Sequence, residues 1–246
     1  MSNIRLGLFD SGIGGFTVLK SIIKRHGEIH AIYFGDTARV PYGRKNTEQI
    51  RGIAKEVNFW LQQQEISALV VACNTTNSLA LDLLQKLSPV PVFDLIDSVS
   101  QTITSSRIGV LATPSTVSSS AYKQSIQKYN PEAVVIENGC PSLVPLIETG
   151  QLSSDELRLS VKKYLEPLLD QNVESIVLGC SHYPLIKNLF KEFTPGEIKL
   201  IDPSESLSKR LDSFLGEKTM SKDSTPTYSN VRFCVSSDQD GFATRT

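Results

Sequence analysis

The sequence predicts an α/β protein made of two similar parallel-sheet domains, related by pseudo-twofold symmetry, with a site in the cleft between them. Three observations support this fold class. Short β-branched runs alternate with amphipathic segments along the chain, which is the pattern of parallel strands covered by helices. The series of strand-like runs occurs twice. In each series, a cysteine directly follows the third run.

Eight runs are predicted to be strands, four in each half of the chain. In chain order they are Arg5–Phe9, Ala31–Phe34, Ala68–Ala72, Val90–Phe93, Arg107–Leu111, Ala133–Ile136, Ser175–Gly179 and Ile198–Ile201. Helices are expected between them. Two pairs resembling capping boxes, Asn46 with Gln49 and Ser153 with Glu156, predict the starts of two longer helices.

The two halves also match in detail. Arg5–Phe9 matches Arg107–Leu111, and the run that ends at Cys73 matches the run that ends at Cys180. Several such matches in the same order indicate an internal duplication, whereas any one of them alone is weak evidence. We therefore predict a first domain of residues 1–96 plus 208–246 and a second domain of residues 97–207.

The last part of the chain is expected to return to the first domain. Residues 217–226 are polar and are predicted to form a linker. The alternating segment Tyr228–Ser236 then predicts an edge strand. We expect the chain to stop short of a final helix.

Composition limits the possible partners. The chain has 246 residues, 40% hydrophobic and 21% charged, which is ordinary for a globular protein. Its 25 basic and 26 acidic residues nearly balance, and no Lys/Arg cluster suggests nucleic acid as a partner. No apolar run approaches the roughly 20 residues of a membrane helix, and no signal-peptide segment opens the chain. We therefore expect a cytoplasmic protein without a membrane or nucleic-acid partner.

The cysteines are the strongest candidates for chemistry. A cytoplasmic chain keeps them reduced, so each is either core filler or a chemical group. Cys73 and Cys180 follow equivalent strands at their carboxyl ends, where open α/β sheets bind ligands. Each precedes polar residues and an expected helix start, whose first turn stabilises a thiolate. They are predicted to be acid/base thiols on opposite sides of one cleft, whereas Cys140 and Cys234 are predicted to be core residues.

Two further motifs are less specific. The glycine-rich turn Asp10–Gly15 is a general anion cradle, but it lacks a Gly-Lys-Ser/Thr sequence, and its aspartate would repel phosphate yet hold an ammonium group. A plain tight turn explains it equally well. His182 lies two residues after Cys180, so the pair could also begin a metal site. Because His26 and His30 are expected on the surface, no second ligand cluster is found and no metal site is predicted.

The ends of two other strands carry weaker candidates. Glu148 follows a proline-bearing apolar loop after the sixth strand, and by itself it is an ordinary surface glutamate. Asp36–Gly43 occupies the equivalent place in the first half. Its Pro-Tyr-Gly sequence predicts a turn that either exposes backbone N–H groups or is purely structural.

Taken together, the motifs resemble the glutamate racemase branch of the aspartate/glutamate racemase family. The matching segments are Phe9–Gly15, Asp36–Gly43, Ala72–Thr76, Cys140–Glu148 and Leu178–Pro184. The resemblance covers about residues 4–215 in the family's order. It implies two α/β domains around the active site, no cofactor, a possible homodimer, and conversion of L- to D-glutamate for peptidoglycan synthesis.

The resemblance also implies roles for particular residues. Those implied to take part in catalysis are Cys73, Cys180, Asp10, His182 and Glu148. Those implied to bind substrate are Ser11, Pro41, Tyr42, Gly43, Asn74, Thr75, Thr113, Thr116 and Ser181. Cys73 would take the proton from D-glutamate and Cys180 the proton from L-glutamate. Position 181 is more often threonine in this family, and serine keeps the hydroxyl.

The sequence alone leaves three alternatives open. The chain could be another member of the same superfamily, such as an aspartate racemase. It could be a non-catalytic binding protein for small anions, which would need neither cysteine. It could also be a thiol hydrolase that uses Cys180 with His182, in which case Cys73 would be dispensable. The mirrored placement of the two thiols favours the racemase.

Overall fold

The computed structural model of the chain describes residues 4–216 and 227–245. The strands are β1 Arg5–Asp10, β2 His30–Gly35, β3 Ala68–Val71, β4 Val92–Asp94, β5 Arg107–Ala112, β6 Val134–Gly139, β7 Ser175–Gly179, β8 Lys199–Ile201 and β9 Val231–Val235. The helices are α1 Gly15–His26, α2 Thr47–Gln62, α3 Asn74–Leu87, α4 Leu95–Ser100, α5 Pro114–Ser119, α6 Ala121–Tyr129, α7 Leu143–Glu148, α8 Asp155–Leu169, α9 Lys187–Phe193, α10 Pro203–Arg210, α11 Asp212–Leu215 and α12 Gln239–Arg245. Short 3₁₀ segments occur at Thr37–Arg39, Tyr42–Arg44 and Tyr183–Ile186.

The strands form two parallel sheets. The first sheet has the order β4-β3-β1-β2-β9 and the second has the order β6-β5-β7-β8. All eight predicted strands are present, with ends that differ by a few residues. The first four strands and the second four lie in the same relative order within their sheets, so the predicted repeat of the strand series is confirmed.

The inner strands β1, β3, β5 and β7 are apolar because helices cover both faces of each sheet there. Leu6, Leu8 and Phe9 of β1 are fully buried, and every residue of β3 is buried as well. Parallel sheets bury both faces under helices, which explains runs without polar alternation. Each fully buried aliphatic side chain contributes about 1.5–3 kcal/mol relative to exposure, so these strands anchor the loops that follow them.

The helix starts agree with the sequence in one case and differ in the other. The capping box of Asn46 with Gln49 is present at the start of α2. The predicted cap by Ser153 with Glu156 is wrong by one residue, because the Ser154 hydroxyl accepts the bond from the Leu157 backbone N–H at 3.2 Å. Two adjacent serines offer the same cap chemistry, and the extended backbone at Ser154 selects that one.

The C-terminal segment returns to the first sheet as predicted. Strand β9 pairs in parallel with β2 at the sheet edge. The linker predicted at residues 217–226 lies outside the described residues. The expectation that the chain stops short of a final helix is wrong, because α12 follows β9. Its Phe242 packs on Tyr33 with ring centroids 5.7 Å apart, which provides the apolar contact that a short helix needs.

The domain boundaries at 96/97 and 207/208 stay a prediction, and in the structure they fall within α4 and α10. These two helices lie together, with Arg210 Nη1 2.8 Å from Asp97 Oδ2. Helix α10 also covers His26, whose Nε2 is 2.8 Å from the Ser208 carbonyl oxygen. The expected surface position of His26 is therefore wrong, whereas His30 is exposed. No helix in the described residues is both long and apolar enough to cross a bilayer.

Candidate active site

Two thiols from different sheets line one small cavity. Cys73 follows β3 as the N-cap of α3, and Cys180 follows β7; both are buried. A turn and a 3₁₀ segment come after Cys180, so the helix expected there starts only at α9. The cavity is small. Its lining residues are Ser11, Tyr42, Gly43, Cys73, Asn74, Thr75, Thr113, Val144, Cys180, Ser181 and His182.

Cys180 has a charged neighbour. His182 Nδ1 lies 3.8 Å from the Cys180 sulfur, and His182 Nε2 lies 2.5 Å from Glu148 Oε1. Burial lowers the pKa of His182, but the interactions with Cys180 and Glu148 outweigh it and raise that pKa well above its usual range. A protonated imidazole can donate from both ring nitrogens. The histidine can therefore pair with a negative sulfur on one side and a carboxylate on the other.

Glu148 is not the surface residue that the sequence suggested. The segment predicted as a proline-bearing loop forms helix α7, and Glu148 is its last residue. Its side chain is only 13% exposed. Besides His182, Glu148 Oε1 accepts a hydrogen bond from the Ile13 backbone N–H at 3.3 Å. Glu148 therefore connects the second sheet's side of the site with the glycine-rich turn of the first.

Cys73 lies in a different electrostatic environment. Burial and the nearby Asp10 carboxyl raise its pKa to about 12, against a smaller opposing effect of Thr76. Asp10 is itself fully buried; its Oδ2 accepts from the Gly12 backbone N–H at 2.9 Å and its Oδ1 from the Ser181 hydroxyl at 3.0 Å. Burial raises the pKa of Asp10. The surroundings of Cys73 thus favour the neutral thiol.

Hydroxyl groups from the two halves meet at the cavity. The Thr75 and Thr113 hydroxyls are 2.9 Å apart, and Thr113 is 3.0 Å from the Thr116 hydroxyl. Thr113 is the N-cap of α5, which turns its side chain toward Thr75. This cluster offers several neutral donors to an anionic group, and the lining residues include no lysine or arginine.

Tyr42 lines one side of the cavity, and residues outside the cavity hold its hydroxyl in place. Its hydroxyl donates to the buried Asp36 carboxylate, which also accepts from Arg39 Nε at 2.6 Å and from the Ser236 hydroxyl at 2.8 Å. Burial and Asp36 raise the pKa of Tyr42 far above its usual range, so the phenol stays neutral. Ser236 follows β9, so the C-terminal segment braces the loop that supplies Tyr42 and Gly43.

Most of the residues predicted for the site lie around this cavity, but four do not line it. Pro41 lines a neighbouring cavity, and Thr116 contacts Thr113 from behind. Asp10 and Glu148 contact the lining residues Ser181 and His182, respectively. Val144 lines the cavity but was not predicted, because an apolar residue in a helix carries no chemical signal.

The other cysteines differ from the two in the cavity. Cys140 is buried, as predicted, and its burial raises its pKa to about 12. Cys234 is only partly buried on the edge strand β9, so the prediction of a core position holds only in part. In the part of the chain that the structure describes, no group of three or more His, Cys, Asp or Glu side chains is arranged to hold a metal ion.

Similarity to known proteins extends over both sheets. Residues 16–210 match the model of the Asp/Glu/hydantoin racemase family. The chain is 48% identical over 242 residues to a glutamate racemase of Synechococcus sp. (strain CC9605), covering 98% of this chain and 91% of that protein. A glutamate racemase of Prochlorococcus marinus (strain NATL2A) is 48% identical over 239 residues, covering 97% and 90%.

A solved structure is similar across the same range. The crystal structure of glutamate racemase from Francisella tularensis in complex with D-glutamate superimposes with a TM-score of 0.87. It has 37% sequence identity, and the match covers 100% of this chain and 92% of that one. The matched region includes both thiols and the segments around them.

Proposed function

The chain belongs to the Asp/Glu/hydantoin racemase family, and we propose that it interconverts L- and D-glutamate by a two-base mechanism that needs no cofactor. The observation that carries this proposal is the meeting of Cys73 and Cys180 at one buried cavity, each from the end of an equivalent strand. Glutamate as substrate is supported by the names of the relatives. They are glutamate racemases, and this chain matches them over most of their length.

Racemisation makes a geometric demand that two thiols can meet. The α-hydrogen must leave from one face of the substrate and a proton must return to the other. A single base would require the substrate to turn over inside the site, whereas two groups on opposite faces do not. One sulfur enters as thiolate and takes the proton, and the other enters as thiol and gives one up. After a turnover, the protonation states of the two sulfurs are exchanged.

The unequal surroundings of the sulfurs support one starting arrangement. His182 places a positive charge beside Cys180, and Asp10 with burial keeps Cys73 protonated. This arrangement suits removal of the proton from L-glutamate by Cys180 and its replacement by Cys73. The reverse reaction uses Cys73 as base, once the proton is on Cys180.

Carbanion formation must be stabilised by fixed donors in a water-poor cavity. We propose that the hydroxyls of Thr75 and Thr113 and the Asn74 amide, together with backbone N–H groups of the Ser11 and Tyr42 turns, hold the carboxylates. The small volume and burial of the cavity suit a site that closes around its substrate. An arginine that binds a substrate carboxylate in a complex of this protein would contradict the proposal.

The test is proton NMR of the purified protein with D- or L-glutamate in D₂O. The wild-type protein is expected to exchange the α-proton with inversion. Cys73→Ala and Cys180→Ala should each lose inversion, although the remaining thiol can still exchange the proton of one enantiomer with retention. Cys140→Ala, which removes a buried thiol outside the cavity lining, is the matched control and should still invert.

The possible results separate the rival functions. Inversion of aspartate in place of glutamate would keep the mechanism and change the substrate. Activity that survives Cys73→Ala but not Cys180→Ala would favour the thiol hydrolase. Binding of a small anion that needs neither cysteine would favour the binding protein.

The cellular role follows from the same proposal. We propose that the D-glutamate serves peptidoglycan synthesis in the cytoplasm and that the protein acts as a homodimer, in keeping with the resemblance of its motifs to the glutamate racemases. Expression in a bacterial strain that depends on added D-glutamate tests the role, since growth without the supplement is expected only with both cysteines intact. Light scattering of the purified protein tests the dimer.

A further inference from the structure

Tyr122 links the two strand ends that carry the thiols. It lies on α6 and is fully buried. Its ring packs over Gly179, the residue before Cys180, where an added Cβ would lie 3.0 Å from Tyr122 Cε2. Its hydroxyl donates to Asn74 Oδ1, the residue after Cys73, at 2.5 Å. One side chain outside the cavity lining therefore contacts the neighbours of both sulfurs.

The hydrogen bond from Tyr122 fixes the direction of the Asn74 amide. Asn74 lines the cavity, and its oxygen is occupied by Tyr122. The structure gives its amide nitrogen no hydrogen-bond acceptor among the described residues. The NH₂ group is thus available to a ligand in the cavity, whereas the carbonyl oxygen is turned away from it.

The opposite amide orientation is unfavourable for two reasons. A buried tyrosine hydroxyl needs an acceptor, and among the described residues Asn74 Oδ1 is the one that accepts from Tyr122. Burial raises the pKa of Tyr122 well above its usual range, so the phenol remains a neutral donor. A flipped amide would leave that donor unsatisfied. It would also point an oxygen at the carboxylates of the substrate.

We propose that Tyr122 is a positioning residue that holds the Asn74 amide with its NH₂ group facing a substrate carboxylate. The inference rests on the proposed function, because glutamate supplies the carboxylate. Tyr122 does not touch the substrate and acts only through Asn74. The same amide donates to the carboxylate in the ground state and in the transition state, so its orientation governs KM more than kcat.

A double-mutant cycle tests the proposal. Tyr122→Phe keeps the ring and removes the hydroxyl, and it is expected to lower kcat/KM for glutamate about tenfold, mainly through KM. Asn74→Ala is expected to lower it at least as much. The double variant should be no worse than Asn74→Ala alone, because Tyr122 has nothing left to orient. Tyr129→Phe removes an exposed hydroxyl from the same helix and is the matched control, with activity unchanged.

Two results would overturn the proposal. If the fall in kcat/KM of the double variant equals the product of the two single falls, Tyr122 acts independently of Asn74. A fall in kcat at constant KM would mean that Tyr122 supports the thiols rather than the amide. Thermal unfolding of each variant shows whether Tyr122→Phe is folded.

Binding measurements keep this inference separate from the proposed function. Calorimetry with L-glutamate in a Cys73→Ala background, where no inversion is expected, should show about a tenfold weaker Kd when Tyr122→Phe is added. If the wild-type protein binds glutamate but does not racemise it, the two-base proposal fails. The double-mutant cycle, measured by Kd in place of kcat/KM, then still reports the Tyr122–Asn74 coupling. An unchanged Kd would refute the positioning role even in an active racemase.

Discussion

Glu148→Gln is the sharpest test of the charge arrangement around Cys180. The substitution keeps the shape of the side chain and removes its charge, 2.5 Å from His182 Nε2. Hydrogen bonds to charged groups contribute about 1.5–3 kcal/mol, and the pair is mostly buried, so little of this is lost to solvent screening. If that energy supports the imidazolium during proton transfer, kcat/KM should fall roughly 10- to 150-fold.

The pH profile distinguishes this cause from a general loss of fit. Glu148 and Cys180 raise the pKa of His182, so removal of the Glu148 charge lowers it. The imidazolium then loses its proton at a lower pH, and the alkaline limb of kcat/KM should move to lower pH in the variant. Initial rates from circular dichroism of L-glutamate, taken from acidic to alkaline pH, measure the shift. An alkaline limb that does not move would refute the argument.

Stability should follow the same charge. A pKa that is raised by folding adds stability that is fully present below the unfolded value of 6.5 and is lost as pH rises through the folded value. The difference in unfolding free energy between wild type and Glu148→Gln should therefore be largest below pH 6.5, as long as Glu148 itself stays ionised. Glu137→Gln is a control for activity only, because burial raises the pKa of Glu137 to about 7 and its removal also changes stability with pH. That partly buried carboxyl makes no hydrogen bond to the cavity residues of the described chain. It should leave the activity profile unchanged.

Two further predictions concern the walls of the cavity. In Gly43→Ala the new Cβ would lie 2.6 Å from Thr113 Cβ, so the loops are forced apart and kcat/KM should fall about tenfold or more. Gly52→Ala, on the open surface of α2, is the control. It should keep activity and add about 0.5–1 kcal/mol to the unfolding free energy. Ser236→Ala removes one hydrogen-bond donor to Asp36, so the unfolding free energy should fall by about 1 kcal/mol or less and KM should rise. An unchanged KM would show that the C-terminal segment does not influence the cavity.

The sequence was informative wherever the signal is local. Apolar runs gave the strands because both faces of a parallel sheet are buried, and the ends of those strands gave the positions of Cys73 and Cys180. The capping box at Asn46 is local as well, because its partner is three residues away. These features need no knowledge of the tertiary structure.

Long-range contacts account for the errors. His26 was predicted at the surface, but α10 covers it from far along the chain. The sequence around Glu148 does not indicate a buried position, because its burial depends on contacts with His182 and the turn at Ile13. Tyr122 gave no signal at all, because its partner Asn74 is 48 positions away and the ring looks like ordinary core. No periodicity or local motif specifies such pairs.

The two similar sheets supply two equivalent thiols, but the neighbours of the two thiols differ. The kinetics of racemisation limit how this difference can be observed. The equilibrium constant of a racemisation is unity, so kcat/KM must be the same for L- and D-glutamate in the wild type and in every variant. An effect on one sulfur alone must therefore appear in kcat and KM separately. Because Glu148 acts on the Cys180 side, Glu148→Gln should lower both kcat/KM values by one common factor while changing the ratio of the two kcat values. An unchanged ratio would show that Glu148 supports both thiols equally.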